Sequence, residues 1–115
     1  MTVAELQIIC HTRAGVKEDL KSGHHLCFCV GEKMFLVTSP GSFPVSAAFK
    51  ATAEEFEELI SQPGFASHRH LGRYKWVYLD DVRRLDAAQW RHYIGESYQL
   101  ALAKLPAKVR RQLSA

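Results

Sequence analysis

Cations and aromatic rings alternate in one short stretch of the sequence, just ahead of a run typical of a β-strand. The stretch holds Arg69, His70, Arg73, Tyr74, Lys75 and Trp76. Positive side chains contact phosphates and ring faces stack on bases, so this mixture is typical of nucleic-acid-binding segments. A tryptophan that opens a strand more often packs in the core, and Tyr74 could equally pack at a sheet edge. The stretch is still the best candidate for a binding site.

Two lysines elsewhere in the chain could extend this basic segment. Lys33 follows the Gly31-Glu32 turn of a predicted hairpin, and Lys50 ends a predicted third strand. Lysines at hairpin tips and strand ends are ordinarily solvated, so neither position demands a ligand. They contribute to a binding surface only if the order of the strands brings them near residues 69–75.

Positive charge is concentrated in the second half of the chain. Residues 1–57 hold five Lys/Arg against seven Asp/Glu, whereas residues 58–115 hold ten against five, which together give the net charge of +3. This asymmetry suggests an anionic partner, although a solvated basic face would also keep a small protein soluble. A second basic cluster contributes to it: Lys104, Lys108, Arg110 and Arg111. Lys104 there also complements the dipole at the end of a helix.

A long helix must supply the surface that positions these residues. From Asp86 to Leu105, apolar residues recur at steps of three and four: Trp90, Ile94, Tyr98, Ala101 and Leu105. The spacing predicts one apolar stripe that packs on a sheet. Asp86 is the predicted N-cap, Gln89 completes a capping box, and Pro106 ends the helix or restarts it at a new angle.

The remaining elements supply the sheet. Thr2 and Glu5 form a capping box for a helix over about 2–12, and Thr52 opens a second helix that ends at Pro63-Gly64. Strands are predicted in HHLCFCV and KMFLVTS, which form a hairpin, then in FPVSAAFK and in KWVYLD. VKEDLKSG is interpreted as a polar connection and FASHRHLGRY as irregular.

This order of elements predicts a single α+β domain. We expect a mostly antiparallel sheet of four or five strands, covered on one face by helices. Strands joined by short turns should run antiparallel. The helical crossover before KWVYLD leaves the direction of that strand open.

Four segments, in this order, resemble the successive motifs of the MmcQ/YjbR family of small bacterial proteins. They are GEKMFLV, VSAAFK, HLGRYKWVYLD and ESYQLALAKLPAKVRRQL. The resemblance covers nearly the whole chain and implies a CyaY-like α+β fold, also described as a double-wing motif, with a role in DNA binding. Lys33 and Lys50 match lysines of the family. Gly72-Arg73 stands where many relatives have Asn-Lys, which keeps the cation and removes the amide.

Metal binding and catalysis find less support. His25, Cys27 and Cys29 would share one strand face and could in principle meet a soft ion, but their spacing is not that of the common zinc motifs. Cysteine as a small buried hydrophobe is the favoured interpretation. The resemblance to a CyaY-like fold raises iron, but the only acidic cluster, Glu54 to Glu58, is on the wrong helix for it. With no phosphate loop or nucleophile elbow, we expect no cofactor and no enzyme.

Two functions from different classes remain. The first is a DNA-binding protein that contacts phosphates weakly or nonspecifically through Lys33, Lys50, Arg69, His70, Arg73 and Lys75. The second is a non-enzymatic adaptor for an acidic protein or an anionic small ligand. Three cysteines cannot all pair, and the chain has no signal-peptide pattern or membrane-length apolar run, so a cytoplasmic protein without a membrane role is expected.

Overall fold

The computed structural model describes residues 1–114 and contains four helices and six strands within them. Two 3₁₀ turns, Gly72–Tyr74 and Val82–Arg84, flank the last strand. In chain order the elements are α1 Val3–His11, β1 Val16–Lys21, β2 His25–Val30, β3 Lys33–Ser39, β4 Ser46–Lys50, α2 Ala53–Ile60, β5 Phe65–Ser67, β6 Trp76–Leu79, α3 Ala87–Leu102 and α4 Ala107–Ser114.

All neighbouring strands of the single sheet run antiparallel, in the order β1-β2-β3-β4-β6-β5. The α+β class and the antiparallel sheet are therefore confirmed, and the direction of the KWVYLD strand is settled as antiparallel to β4. The strand predicted in FPVSAAFK is β4. It is shorter than predicted, because it begins at Ser46, and Phe43 before it is 93% exposed.

The sheet has six strands rather than four or five because both of its edges were misread in the sequence. The segment interpreted as a polar connection forms β1, and the segment interpreted as irregular begins with β5. Edge strands have one neighbour and are often polar or short, so they lack the apolar alternation of inner strands. In β1, Glu18 accepts a hydrogen bond from Gln7 of α1 at 2.8 Å, so this strand contacts the helix through polar side chains.

The long helix confirms the predicted stripe. All five stripe residues are buried, and the predicted capping box between Asp86 and Gln89 is formed. The Trp90 Nε1 donates to the Val82 carbonyl at 2.8 Å, and its ring packs edge-on against Phe49 of β4. The helix ends at Leu102, and the basic segment after Pro106 forms α4.

A tight turn joins β2 to β3 as predicted. Gly31 and Glu32 both have positive φ, at 52° and 70°, which is the signature of a type I′ hairpin turn. Phe28 pairs with Leu36 but Cys29 pairs with Met34, so Phe35 is an extra residue that forms a β-bulge. Phe35 and Leu36 are both fully buried, which means that the bulge turns an additional aromatic ring into the core.

The two faces of the sheet differ. Helices pack on the face that holds Phe49, Val77 and Leu79, and these residues belong to the main core. Trp76 is buried as predicted, at 6% exposed, but lies outside that core and by alternation faces the other side with Tyr78. No helix within residues 1–114 has the length and apolar character needed to cross a membrane.

Candidate nucleic-acid interface

The strand order brings the sequence-predicted site residues to one end of the sheet. β3 begins at Lys33, β4 ends at Lys50 and β6 begins at Trp76, and antiparallel pairing makes these three strand ends neighbours. The connection from β5 to β6, residues 68–75, lies at the same end. The term basic end is used below for six residues: Lys33, Lys50, Arg69, His70, Arg73 and Lys75. Three strand spacings of about 4.8 Å separate Lys33 from the β5 edge by roughly 14 Å.

None of the six side chains forms an ion pair with a carboxylate in the described part of the chain. The opposite end of the sheet differs, because there Arg83 pairs with Asp81 at 2.8 Å and Arg84 pairs with Asp80. No carboxylate in the described part of the chain therefore competes with an external anion for these six side chains.

The β5–β6 connection is a hydrogen-bonded turn built around His68. The Nδ1 of His68 accepts hydrogen bonds from the backbone N–H groups of His70 and Leu71, both at 3.1 Å. The His68 backbone adds two more, since its N–H donates to Trp76 O and its carbonyl accepts from Gly72 N, each at 2.9 Å. Burial, with a smaller effect of His70, lowers the pKa of His68, which favours the neutral ring that this acceptor role requires.

Arg73 and Lys75 occupy different environments. The guanidinium of Arg73 lies 5.0 Å from the centroid of the Tyr74 ring and donates to the Tyr74 hydroxyl at 3.0 Å. Both residues are exposed, so they present a cation and a ring together. Lys75 is half-buried, with its Nζ 5.0 Å from the ring centroid of Phe56 on α2. Arg73 is therefore the more accessible cation of the two.

Lys50 is held at the end of β4 by the long helix. Its backbone N–H donates to the Ser97 Oγ at 3.1 Å, and the Ser97 hydroxyl donates to the carbonyl of Phe35 at 2.6 Å. Its side chain contacts Lys104, and burial together with this neighbour lowers the pKa of Lys50. Lys104, predicted in the second basic cluster, therefore lies beside the basic end, whereas Lys108 and Arg111 lie on α4.

The thiols occupy structural positions. Cys10 is fully buried, and burial raises its pKa to about 12, which disfavours the thiolate form. Burial likewise raises the pKa of Cys27 and of Cys29. The three cysteines are unpaired with one another.

The donor cluster that the described residues do form was missed by sequence reasoning. It consists of Glu55, His92 and Glu96, and neither His25 nor any cysteine takes part. His92 and Glu96 are four residues apart on α3, a spacing that places two side chains on one helix face. That spacing was the signal available in the sequence, but Glu55 comes from another helix and could not be paired with them from spacing alone.

Comparisons with known proteins agree with this architecture. Similar solved structures include Deinococcus radiodurans DR2400, with its DUF419 domain, which is 25% identical at a TM-score of 0.87 and covers 98% of this chain and 88% of that one. A Pseudomonas syringae protein, structural genomics target PsR293, is 17% identical at a TM-score of 0.70, covers 88% of this chain and 99% of that one, and supports the fold alone. None of the curated proteins matches the chain. The family model for YjbR matches residues 12–100, and the chain belongs to the YjbR family.

Proposed function

We propose that this YjbR-family protein is a nucleic-acid-binding module that contacts DNA phosphates through the basic end, and that it acts by binding rather than by catalysis. One observation carries the proposal: cations from β3, β4 and the β5–β6 connection meet at one end of the sheet without carboxylate partners. Cations that are not neutralised within the protein are the groups that displace counterions from a phosphate backbone.

The arrangement favours contact with the backbone of DNA over recognition of its bases. Lysine and arginine contacts to phosphates position a protein without reading sequence, so weak or nonspecific binding is expected. If about four phosphates are contacted on duplex DNA, the slope of log K against log salt should be about −3.6. The exposed Tyr74 ring beside Arg73 offers in addition a stacking surface for an unpaired base.

The contact between Lys50 and Lys104 gives this surface an electrostatic reason to bind an anion. Two like charges close together disfavour each other's charged form, and their mutual effect is part of what lowers the pKa of Lys50. A phosphate placed between the two amines would relieve that repulsion. We therefore expect Lys50 to contribute more to binding than the isolated Lys33.

Fluorescence anisotropy with a short labelled DNA duplex tests the proposal directly. Affinity is measured across salt concentrations for the natural chain and for a double variant, Arg69→Glu with Arg73→Glu, because both side chains are exposed. We expect the double variant to bind at least about tenfold more weakly at low salt and to show a shallower salt slope.

A matched control distinguishes the effect of a defined binding surface from the effect of the net charge of the protein. Lys21→Glu with Arg91→Glu changes the net charge equally, and both positions are exposed and lie outside the basic end. The control should stay within about threefold of the natural chain. Equal losses in the two double variants, or an affinity that ignores salt, would overturn the proposal. Displacement of the labelled duplex by an acidic polypeptide or inorganic phosphate at lower concentrations than unlabelled DNA requires would favour the adaptor instead.

A further inference from the structure

Away from the basic end, helices α2 and α3 bring three metal-binding side chains together. The Oε2 atom of Glu55 lies 2.7 Å from the Nε2 atom of His92, and the Oε2 atom of Glu96 lies 4.0 Å from the same nitrogen. One ligand atom from each residue can be chosen so that all three lie within 4.8 Å of one another. His92 and Glu96 are neighbours on one face of α3, whereas Glu55 comes from α2, 37 residues before His92, so the packing of the two helices creates the cluster.

Both helices hold these side chains in place. Glu55 occupies the first turn of α2, where its backbone N–H donates to the N-cap hydroxyl of Thr52 at 3.3 Å. The same hydroxyl donates to the Oε1 of Glu55 at 3.4 Å, which leaves Oε2 directed at His92. An oriented carboxylate of this kind is the usual arrangement around metal ligands.

One oxygen of the cluster has no hydrogen-bond partner among the described residues. The Oε2 of Glu96 is withdrawn from solvent and accepts no hydrogen bond within residues 1–114. An unsatisfied buried carboxylate oxygen carries a desolvation cost that a proton or a cation can offset.

We infer that Glu55, His92 and Glu96 bind one divalent first-row transition ion, such as Mn²⁺ or Zn²⁺. Two carboxylate oxygens and one imidazole nitrogen are a donor set for these ions, whereas Mg²⁺ and Ca²⁺ prefer oxygen ligands alone. Ligand bonds of about 2.1 Å place neighbouring donor atoms roughly 3.0–3.4 Å apart. The two carboxylate oxygens lie 2.7 Å and 4.0 Å from the His92 Nε2, and these distances bracket that spacing.

The site is open on one side. A groove of about 440 Å³ runs beside His92 and Glu96, and Arg13 and Arg91 also line it. The groove leaves room for water to complete the coordination sphere. Three protein ligands plus water is the pattern of sites that exchange their remaining ligands.

Titration of the chelator-treated full chain with Mn²⁺ tests the inference. Paramagnetic broadening in NMR spectra should appear first at the backbone amides of Glu55, His92 and Glu96, and should saturate at one ion per chain. Glu96→Gln and His92→Gln should each weaken Mn²⁺ binding at least about tenfold, since ligand loss removes one of three donors. Glu57→Gln, an exposed position on the same helix as Glu55, is the matched control and should leave binding unchanged.

Each outcome is decisive. Broadening spread over surface carboxylates, or equal Mn²⁺ affinity in Glu96→Gln and the natural chain, would reduce the cluster to a hydrogen-bonded ion pair and overturn the inference. If circular dichroism shows that Glu96→Gln does not fold, the test rests on the broadening pattern of the natural chain and on the Mn²⁺ affinity of His92→Gln.

Discussion

The backbone N–H of Lys50 donates a 3.1 Å hydrogen bond to the side-chain oxygen of Ser97, 47 residues further along the chain. Ser97 is fully buried, and its hydroxyl in turn donates to the Phe35 carbonyl at the β-bulge. One hydroxyl therefore ties the long helix to the end of β4 and to β3 at the point where both strands approach the basic end. The position of Lys50 depends on a residue that is itself withdrawn from any ligand.

Ser97→Ala tests this link. Removing the hydroxyl leaves the Phe35 carbonyl and the Lys50 N–H without their partner, which should lower the free energy of unfolding by about 1–3 kcal/mol. Denaturant unfolding measures the loss. Ser61→Ala is the control, because the Ser61 hydroxyl makes only a local, exposed bond to Glu58 O at 2.7 Å and should change stability by less than about 0.5 kcal/mol. Similar losses in both variants would refute the linking role of Ser97.

Lys50→Met should strengthen the fold while weakening the binding of DNA. The folded-state pKa of Lys50 lies below its ordinary value, so folding disfavours the charged amine at neutral pH. An uncharged side chain of similar length avoids that cost and should raise Tm by roughly 1–4 °C. Lys33→Met at the exposed hairpin position is the control and should weaken binding without a gain in Tm.

The pH dependence of the same variant carries a definite sign. Because the folded pKa of Lys50 is the lower one, the natural chain gains stability as pH rises through that value toward 10.5, the ordinary value for lysine. The advantage of Lys50→Met in Tm should accordingly shrink over this alkaline range. An advantage that grows with pH would show that the charge of Lys50 does not cause it.

The sequence predicted the inner part of this fold well because inner elements are repetitive. The stripe of α3 is buried as predicted, and in β2 the alternate residues Phe28 and Val30 belong to the main core whereas Cys27 and Cys29 do not. β1 was not predicted as a strand because it lies at the edge of the sheet, where Glu18 contacts α1, and its sequence has no alternation of apolar residues. The burial of Phe35 beside Leu36 was not predicted for a different reason, since a β-bulge interrupts the alternation of buried and exposed residues along a strand.

The candidate site was predictable in its residue types but not in its supports. Clustered cations beside Tyr74 can be recognised in a sequence, because phosphate contact requires those side chains whatever the fold. The contacts of Ser97 with Lys50 and of Glu55 with His92 span 47 and 37 residues, and no local spacing encodes them. Long-range polar contacts depend on how helices cross a sheet, which a single sequence leaves undetermined.

Gly31→Ala should destabilise the hairpin that presents Lys33. Gly31 has a φ of +52°, and a Cβ there would lie 2.7 Å from the Cδ1 of Leu105, which follows the end of the long helix. The matched control is Gly23→Ala, because Gly23 has a φ of +69° but no atoms within 4 Å of an added Cβ. Both variants carry the left-handed cost of about 1–2 kcal/mol, and Gly31→Ala should lose roughly 1–3 kcal/mol more through the clash. Equal losses in thermal unfolding would mean that Leu105 gives way freely.

Protonation of His68 should release the turn that carries Arg69, His70 and Arg73. Its Nδ1 accepts two backbone hydrogen bonds, and a protonated nitrogen cannot accept either. Since the folded pKa of His68 lies below 6.5, this stabilising effect is complete above pH 6.5 and is lost as pH falls through the folded value. Amide exchange protection of His70 and Leu71 should thus decline in mild acid, while that of Tyr74, whose N–H donates to Leu71 O at 2.9 Å, should decline less. In His68→Ala, the amides of His70 and Leu71 should have low protection at every pH. If the variant keeps the pH dependence of the natural chain, a group other than His68 causes it.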